Sequence, residues 1–579
     1  MIGKKKTKIL PTNVPFNELP STFNTFFIEK IEKIRAHLDL FSQHQIFKEY
    51  NGTSFSAFTP VTEEYVKSTI LKCKKSFSEL DPLPAKLFYE CLDILLPYVT
   101  NIFNDSLVSG TFPSDFKDCV VIPLLKKVSL DCNILKNYRP VSNLPFISKV
   151  LERIAYAQIL DHLTTNELTE KFQSAYKARH SSETALLRVV NDMLSAIDGG
   201  NMSLLTLLDL SAAFDTIDHT ILSDRLETSF GINGTVLNWI QSYLSNRQQK
   251  VKIDNTCSSE IPIMYGVPQG SVLGPLLFTM YVYPLTDVIK QHEFPYHLYA
   301  DDTQLYRPIS TNDFDLMTDE LSKCTDGINK WMNTNKLKMN NDKTELLLCG
   351  THSKLNSVQA KSVKIGNEVI NYSKKVKNLG MFFENNLSMN CAVSHIRKCC
   401  YLELRKIAHL RSYINEDAAK TLVLSFVISR LDYCNSLFYN MTNENIHKLQ
   451  LVQNHAARLV KRAPKRSSAS SLLKELHWLP VKQRIIYKIA VLVYNCLYDD
   501  NSPLYLKELI NIYIPQRTLR SSQKHLLVKP LTNLKTFGER SFAYAAPDVW
   551  NKLPDNVKSS ETISIFKKRL KTHLFRLSF

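Results

Sequence analysis

Three patterns of apolar and polar positions follow one another along the 579-residue chain. Up to about residue 105, apolar side chains recur at helical spacing, as in Phe23, Phe26, Phe27, Ile31 and Ile34, with a polar, proline-containing interruption near 51–62. From 106 to 385, short apolar runs alternate with helical periods: VVIPLL at 120–125, SLLTLLDL at 203–210 and HLYADDTQLY at 297–306. Runs of that length, mixed with helices, predict an α+β fold. From 386 to 579 helical periodicity dominates. Leu449, Val452, Ala456, Leu459 and Val460 share one face, and RIIYKIAVLVYNCL at 484–497 predicts a second apolar helix. No internal repeat is present.

Composition narrows the class. With 44% hydrophobic and 10% aromatic residues the chain can build real cores, so it is no disordered tail. Its 15 glycines and 24 prolines, scattered without period, exclude collagenous or low-complexity architecture. No apolar stretch approaches the roughly 18 residues of a membrane span, and the basic N-terminus lacks the apolar core of a signal peptide. The 12 cysteines contain no CxxC pair, which predicts a reduced, intracellular protein without membrane attachment, its compartment (nuclear or cytoplasmic) left open.

Charge changes the picture more. The net +17 is not spread evenly: residues 1–385 carry 41 basic and 42 acidic side chains, residues 386–579 carry 31 and 13. Such an excess in the last third fits an electrostatic footprint on a phosphate backbone, with no base preference implied. The cluster Lys461, Arg462, Lys465 and Arg466 is its candidate contact, a solvated face or linker the alternative.

The candidate chemistry is acidic. Asp301 and Asp302, in Tyr299-Ala300-Asp301-Asp302, lie between apolar and aromatic residues, whereas the pair Asp499 and Asp500 reads as a loop. Two aspartates in such a segment belong at a hairpin tip, where desolvation and mutual repulsion oppose them. Hard divalent cations would offset that cost. Asp209 ends the run SLLTLLDL, 92 residues before Asp301. Strand ends converge at a sheet edge, so Asp209 and Asp301 could face one pair of ions, spaced about 4 Å, suited to in-line phosphoryl displacement. Helix caps or turns are the alternative for each aspartate. Between them, Gly266 to Pro275 (GVPQGSVLGP) predicts a loop entering a helix, with Gln269 offering both donor and acceptor, or an ordinary Pro-Gly turn. Lys126, Lys127 and Arg139 could hold a triphosphate.

In order, NYRPVSNLPFISKVLERI (137–154), FQSAYKARHSSETAL (172–186), LLDLSAAFDTIDH (207–219), GVPQGSVLGPLLF (266–278), YADD (299–302), LKMNNDKTELLL (337–348) and VKNLGMFF (376–383) resemble the reverse transcriptase of non-LTR, LINE-type retrotransposons, most closely the jockey-like group. FNTFFIEKI near the start, LHWLPVKQRI (476–485) and YAAPDVWNKLP (544–554) resemble the flanks of the same proteins.

The resemblance implies a right-hand polymerase: a helical region at 1–105 leading into the fingers, fingers and antiparallel palm at 106–385, and a thumb with a basic helical region at 386–579. It implies an RNA-directed DNA polymerase that extends a DNA 3′-hydroxyl on an RNA template with deoxynucleoside triphosphates. Two Mg²⁺ ions, or Mn²⁺, would be held by Asp209, Asp301 and Asp302. It further assigns Lys343 as proton donor to pyrophosphate, Phe214 as the bulk beneath the sugar, Gln269 and Gly270 to the nucleotide and template pocket, and Tyr299 to the primer terminus. Lys126, or its neighbour Lys127, and Arg139 fall to the triphosphate. Complete proteins of this type carry an apurinic-type endonuclease ahead of the polymerase. The expectation here is a chain without that domain, as a truncated copy, a gene model that begins late or a product dependent on nicks made elsewhere, with a non-catalytic nucleic-acid-binding relic as the alternative to an active polymerase. Cys391, His395 and Cys399 fall at helical spacing and read as a helix face in preference to a zinc site.

Overall fold

The run Met202–Leu208 is buried at every position, as an apolar segment without alternation requires, because it lies inside a sheet with both faces covered. The structure, a computed structural model, describes residues 9–41, 48–73, 78–358, 362–365, 368–514 and 525–579. Its principal elements are α1 (Leu19–Leu38), β1 (Cys119–Leu125), β2 (Tyr138–Asn143), α2 (Phe146–Thr165), α3 (Ser182–Asp198), β3 (Met202–Leu208), β4 (Arg247–Ile253), α4 (Gly274–Tyr281), β5 (Tyr296–Tyr299), β6 (Asp302–Ile309), β7 (Glu345–Cys349), α5 (Asn390–Leu410), α6 (Asn443–Lys461), α7 (Val481–Tyr498) and α8 (Ile563–Ser578). The α+β class and the helical C-terminal region are as expected. No helix among the described residues is long and apolar enough to cross a membrane.

Two units interleave along the chain. The first comprises Met1–Glu170, Leu210–Gln291 and Asp326–Asn340, the second Lys171–Asp209, His292–Thr325 and Asn341–Phe579. The step in charge at residue 385 is therefore not a step in packing.

In the first unit β1 pairs antiparallel with β2 and parallel with β4, and two short strands extend the sheet along β4. Helix α1 is a layer of this unit. Phe23 meets Tyr138 edge-on at 4.9 Å between ring centroids, and the buried Asn24 amide donates to Ser258 Oγ and to the Ser259 carbonyl, each at 3.0 Å. Burial of Phe23, Phe27, Val121, Tyr138 and Val251 in one core explains why the apolar spacing at the N-terminus persists so regularly.

In the second unit β7, β3, β6 and β5 form an antiparallel sheet in that order. Helix α3, started by a capping box between Ser181 and Thr184, supplies Leu186, Val190 and Met193 to a core that also takes Leu205 and Leu207 of β3 and Leu347 of β7. The same core continues through Leu404 of α5, Val452 of α6, Ile489 of α7 and Leu570 of α8. The face predicted on α6 is buried at Leu449, Val452, Ala456 and Val460.

Candidate active site

Strand register and one turn bring four distant residues together. In the antiparallel pair β3·β6, Leu208 lies opposite Thr303, so the next step sets Asp209 opposite Asp302. In β7·β3, Glu345 lies opposite Leu207, and the short turn Asn341–Lys343 just before β7 brings Lys343 to Asp209. In β5·β6, Tyr299 lies opposite Asp302. Lys343, Asp209, Asp302 and Tyr299 thus line one end of the four-stranded sheet, and the Lys343 ammonium donates to Asp209 Oδ2 at 2.7 Å. Asp301 occupies the two-residue turn between β5 and β6, after Ala300, which is left-handed at φ 56. This is the hairpin tip that the sequence predicts for the paired aspartates.

The electrostatics of this edge are unsettled in one direction. Asp302 is pushed up to about 7, first by burial, then by the charges of Asp301 and Asp209, with Lys343 acting against them. Asp209, Asp302, Asp342, Lys343 and Lys377 line a cavity of about 340 Å³ at this edge. Among the described residues no three His, Cys, Asp or Glu side chains gather closely enough to ligate one ion, and Lys343 provides the countercharge of Asp209. The donor atoms are hard carboxylate oxygens and Asp302 is destabilised by like charge, so the chemistry of the donors, not their spacing, suits a hard divalent cation.

The first unit holds the loop that follows Gly266. Gln269 donates from Nε2 to Asp215 Oδ1 at 2.6 Å, while its carbonyl accepts from the Ser142 amide of β2 at 2.9 Å. Gly270 has φ 114, and a Cβ there would stand 2.7 Å from the Ser142 carbonyl, so this close approach of loop to strand demands glycine. Beyond it Glu152 of α2, fully buried, accepts from the amides of Val272 at 2.7 Å and Leu273 at 3.0 Å. Phe214 stacks on Phe278 of α4 with centroids 4.6 Å apart. Lys126 donates from Nζ to the Lys136 carbonyl at 2.7 Å, and Arg139 is exposed on β2, opposite Leu124.

Residues 125–383 match the family described as reverse transcriptase (RNA-dependent DNA polymerase). That segment is similar to a reverse transcriptase domain. Similar proteins include the RNA-directed DNA polymerase from mobile element jockey of Drosophila melanogaster, 26% identical over 432 residues, which are 72% of this chain and 46% of the relative. That of Drosophila funebris is 27% identical over 418 residues, 70% of this chain and 44% of the relative. The probable RNA-directed DNA polymerase from transposon X-element of Drosophila melanogaster is 27% identical over 371 residues, 63% and 40%. The chain therefore spans less than half the length of these curated relatives.

All the expected site residues except the basic cluster lie inside the matched segment, 125–383. The structure gathers Asp209, Asp301, Asp302, Tyr299 and Lys343 at one sheet edge of the second unit. Lys126, Arg139, Phe214, Gln269 and Gly270 belong to the first unit. In the basic cluster, Lys461 is 17% exposed and pairs with Glu416 and Glu475, each at 2.5 Å, and Arg462 caps α6 and donates to the Arg411 carbonyl at 2.8 Å. Lys465 and Arg466 are exposed. Cys399 and His395 lie 3.6 Å apart on α5, a helix-face contact.

Sequence reasoning missed Asp215, Glu152 and Gln173. Each is a buried or half-buried polar residue whose partners are backbone amides or another side chain of the matched segment, and the only signal was its presence inside one of the quoted motifs.

Proposed function

We propose that this chain is an RNA-directed DNA polymerase of the non-LTR retrotransposon type, adding deoxynucleotides to a DNA 3′-hydroxyl on an RNA template. The observation that carries this reading is the group Lys343, Asp209, Asp302 beside Asp301, a carboxylate cluster at a sheet edge inside the segment that matches reverse transcriptases. Two divalent cations, Mg²⁺ or Mn²⁺, on Asp209, Asp301 and Asp302 would stabilise the charge that develops as the primer oxygen attacks the α-phosphate and pyrophosphate leaves.

The chain's own residues do the rest. Lys343, paired with Asp209 at 2.7 Å, would give a proton to the departing pyrophosphate. In the first unit, Phe214 is held flat on Phe278, a rigid bulk able to reject a ribose 2′-hydroxyl. Gln269 is oriented by Asp215 and by the Ser142 amide to meet nucleotide or template. Lys126 and Arg139 offer cations for a triphosphate, and Tyr299 a ring for the primer terminus. Lys465 and Arg466, within the basic last third, contact the phosphate backbone and set affinity without base choice.

Primer extension tests the reading. Wild type should extend a DNA primer on homopolymeric RNA with Mg²⁺, and Asp301→Asn should not. Extension unchanged in Asp301→Asn would remove the carboxylate assignment. A folded wild type that extends nothing would leave a nucleic-acid-binding relic.

A further inference from the structure

We infer that Gln173, to which no role has yet been given, is a positioning residue for the Ala300–Asp301 turn; this inference rests on the polymerase reading above. Ala300 carries a Cβ yet stands at φ 56, a conformation that L side chains rarely adopt and that persists only where surroundings hold it. The holding group is the Gln173 carboxamide. Its Oε1 accepts from the Ala300 amide at 3.1 Å and from the Ala175 amide at 3.0 Å, and its Nε2 reaches towards the Ala300 carbonyl at 3.5 Å. Gln173 is only 3% exposed, so water cannot replace those contacts if the carboxamide is removed.

The segment that bears Gln173 is itself fixed. The Leu298 amide of β5 donates to the Phe172 carbonyl at 2.8 Å, and the Ser174 amide donates to the Leu298 carbonyl at 3.0 Å. Residue 173 therefore runs as a one-residue parallel bridge beside β5, aiming its side chain at both peptide groups of the turn's first residue. Behind it, Ser174 Oγ meets His297 Nε2 and Tyr505 Oη, each at 2.7 Å, which ties the bridge to the C-terminal third of the same unit. Asp301 follows Ala300 directly. Holding the peptide before it restricts where its carboxylate can point, and a misplacement of about 1 Å at a reacting centre can cost on the order of a hundredfold in rate.

The test uses the full chain and the volume-conserving Gln173→Met, alone and with Ala300→Gly, since glycine adopts a positive φ without strain. Two quantities are read: hydrogen-exchange protection of the peptide spanning residues 298–303, and kcat with KM for deoxynucleotide in primer extension. Gln173→Met should lose protection in that turn alone and lower kcat about 10- to 100-fold, with KM changed less than about threefold. Adding Ala300→Gly should recover kcat by roughly threefold or more. Unchanged protection of the turn overturns the inference. So does a loss of protection spread through the whole second unit with no recovery from Ala300→Gly, the signature of a merely structural residue. A wild type that extends no primer overturns the polymerase reading instead, and the turn's protection then decides the role of Gln173 by itself.

Discussion

Glu152 in the first unit and Asp302 in the second are both carboxyls pushed above their ordinary range by burial, yet their surroundings differ in kind. Around Glu152 everything donates: the amides of Val272 and Leu273 and the Tyr243 hydroxyl, the last at 3.3 Å, with the Arg247 charge nearby. Around Asp302 the main neighbours are two more carboxylates, and one lysine opposes them. The Glu152 carboxylate ties backbone together through one oxygen, Oε2, while its Oε1 stays buried without a hydrogen-bond partner among the described residues. A carboxylate surrounded by like charge at the rim of a polar cavity gains when a cation arrives. Burial alone therefore does not identify a site; the sign of what surrounds the buried group does.

The largest effect expected from that contrast is on activity without stability. Asp302→Asn should lower primer extension by about 10³-fold or more, because charge stabilisation worth several kcal/mol is lost, while the thermal midpoint stays level or rises. A midpoint that falls with activity would make Asp302 structural, like Glu152. The opposite substitution tests the other side: Glu152→Ala leaves two buried amides unsatisfied and should cost roughly 2–4 kcal/mol in urea unfolding. Retained stability would break the comparison there.

A smaller effect concerns a buried base whose charged form would meet like charge. His297 is wholly buried and held down to about 3, chiefly by burial and then by the Arg188 charge. Below its ordinary 6.5 the unfolded chain takes up a proton that the folded chain refuses, so stability should fall as pH drops from about 6.5 towards about 3. His297→Gln should flatten that slope in acid unfolding, and an unchanged slope would assign the acid sensitivity elsewhere.

The smallest effect separates cations as Glu152 and Asp302 separate anions. Lys461 is held by Glu416 and Glu475, whereas Lys465 and Arg466 are exposed. Replacing Lys465 and Arg466 by alanine should lower the salt slope of primer–template binding by about two, roughly one per phosphate contact. Lys461→Ala should leave the slope as it is.

Much of the site was legible because it rests on strand ends and register. An apolar run terminated by Asp209, and an apolar hairpin interrupted by Asp301 and Asp302, announce where those carboxylates go once the strands are antiparallel neighbours. The α+β class and the helices beyond residue 386 followed from periodicity for the same reason. The position of Lys343 did not, since its contact with Asp209 depends on the turn before a third strand whose partner only the fold reveals. Gln173 and Asp215 were hidden because a single buried amide or carboxyl has no period to betray it. The interleaving of the units was hidden too: charge changes sharply at residue 385, but Leu205 and Leu347 before that point share a core with Val452 and Leu570 after it. Charge reports what the surface meets, and packing is decided by apolar faces that charge does not record.

The central claim is that the sheet edge at Asp209, Asp301 and Asp302 is a cation site. Electron paramagnetic resonance titration of the full chain with Mn²⁺ tests it directly, without primer or nucleotide. The account predicts bound Mn²⁺ in the wild type that is lost or strongly weakened in Asp209→Asn and in Asp302→Asn, both still folded by circular dichroism. Equal Mn²⁺ binding by all three proteins would contradict it.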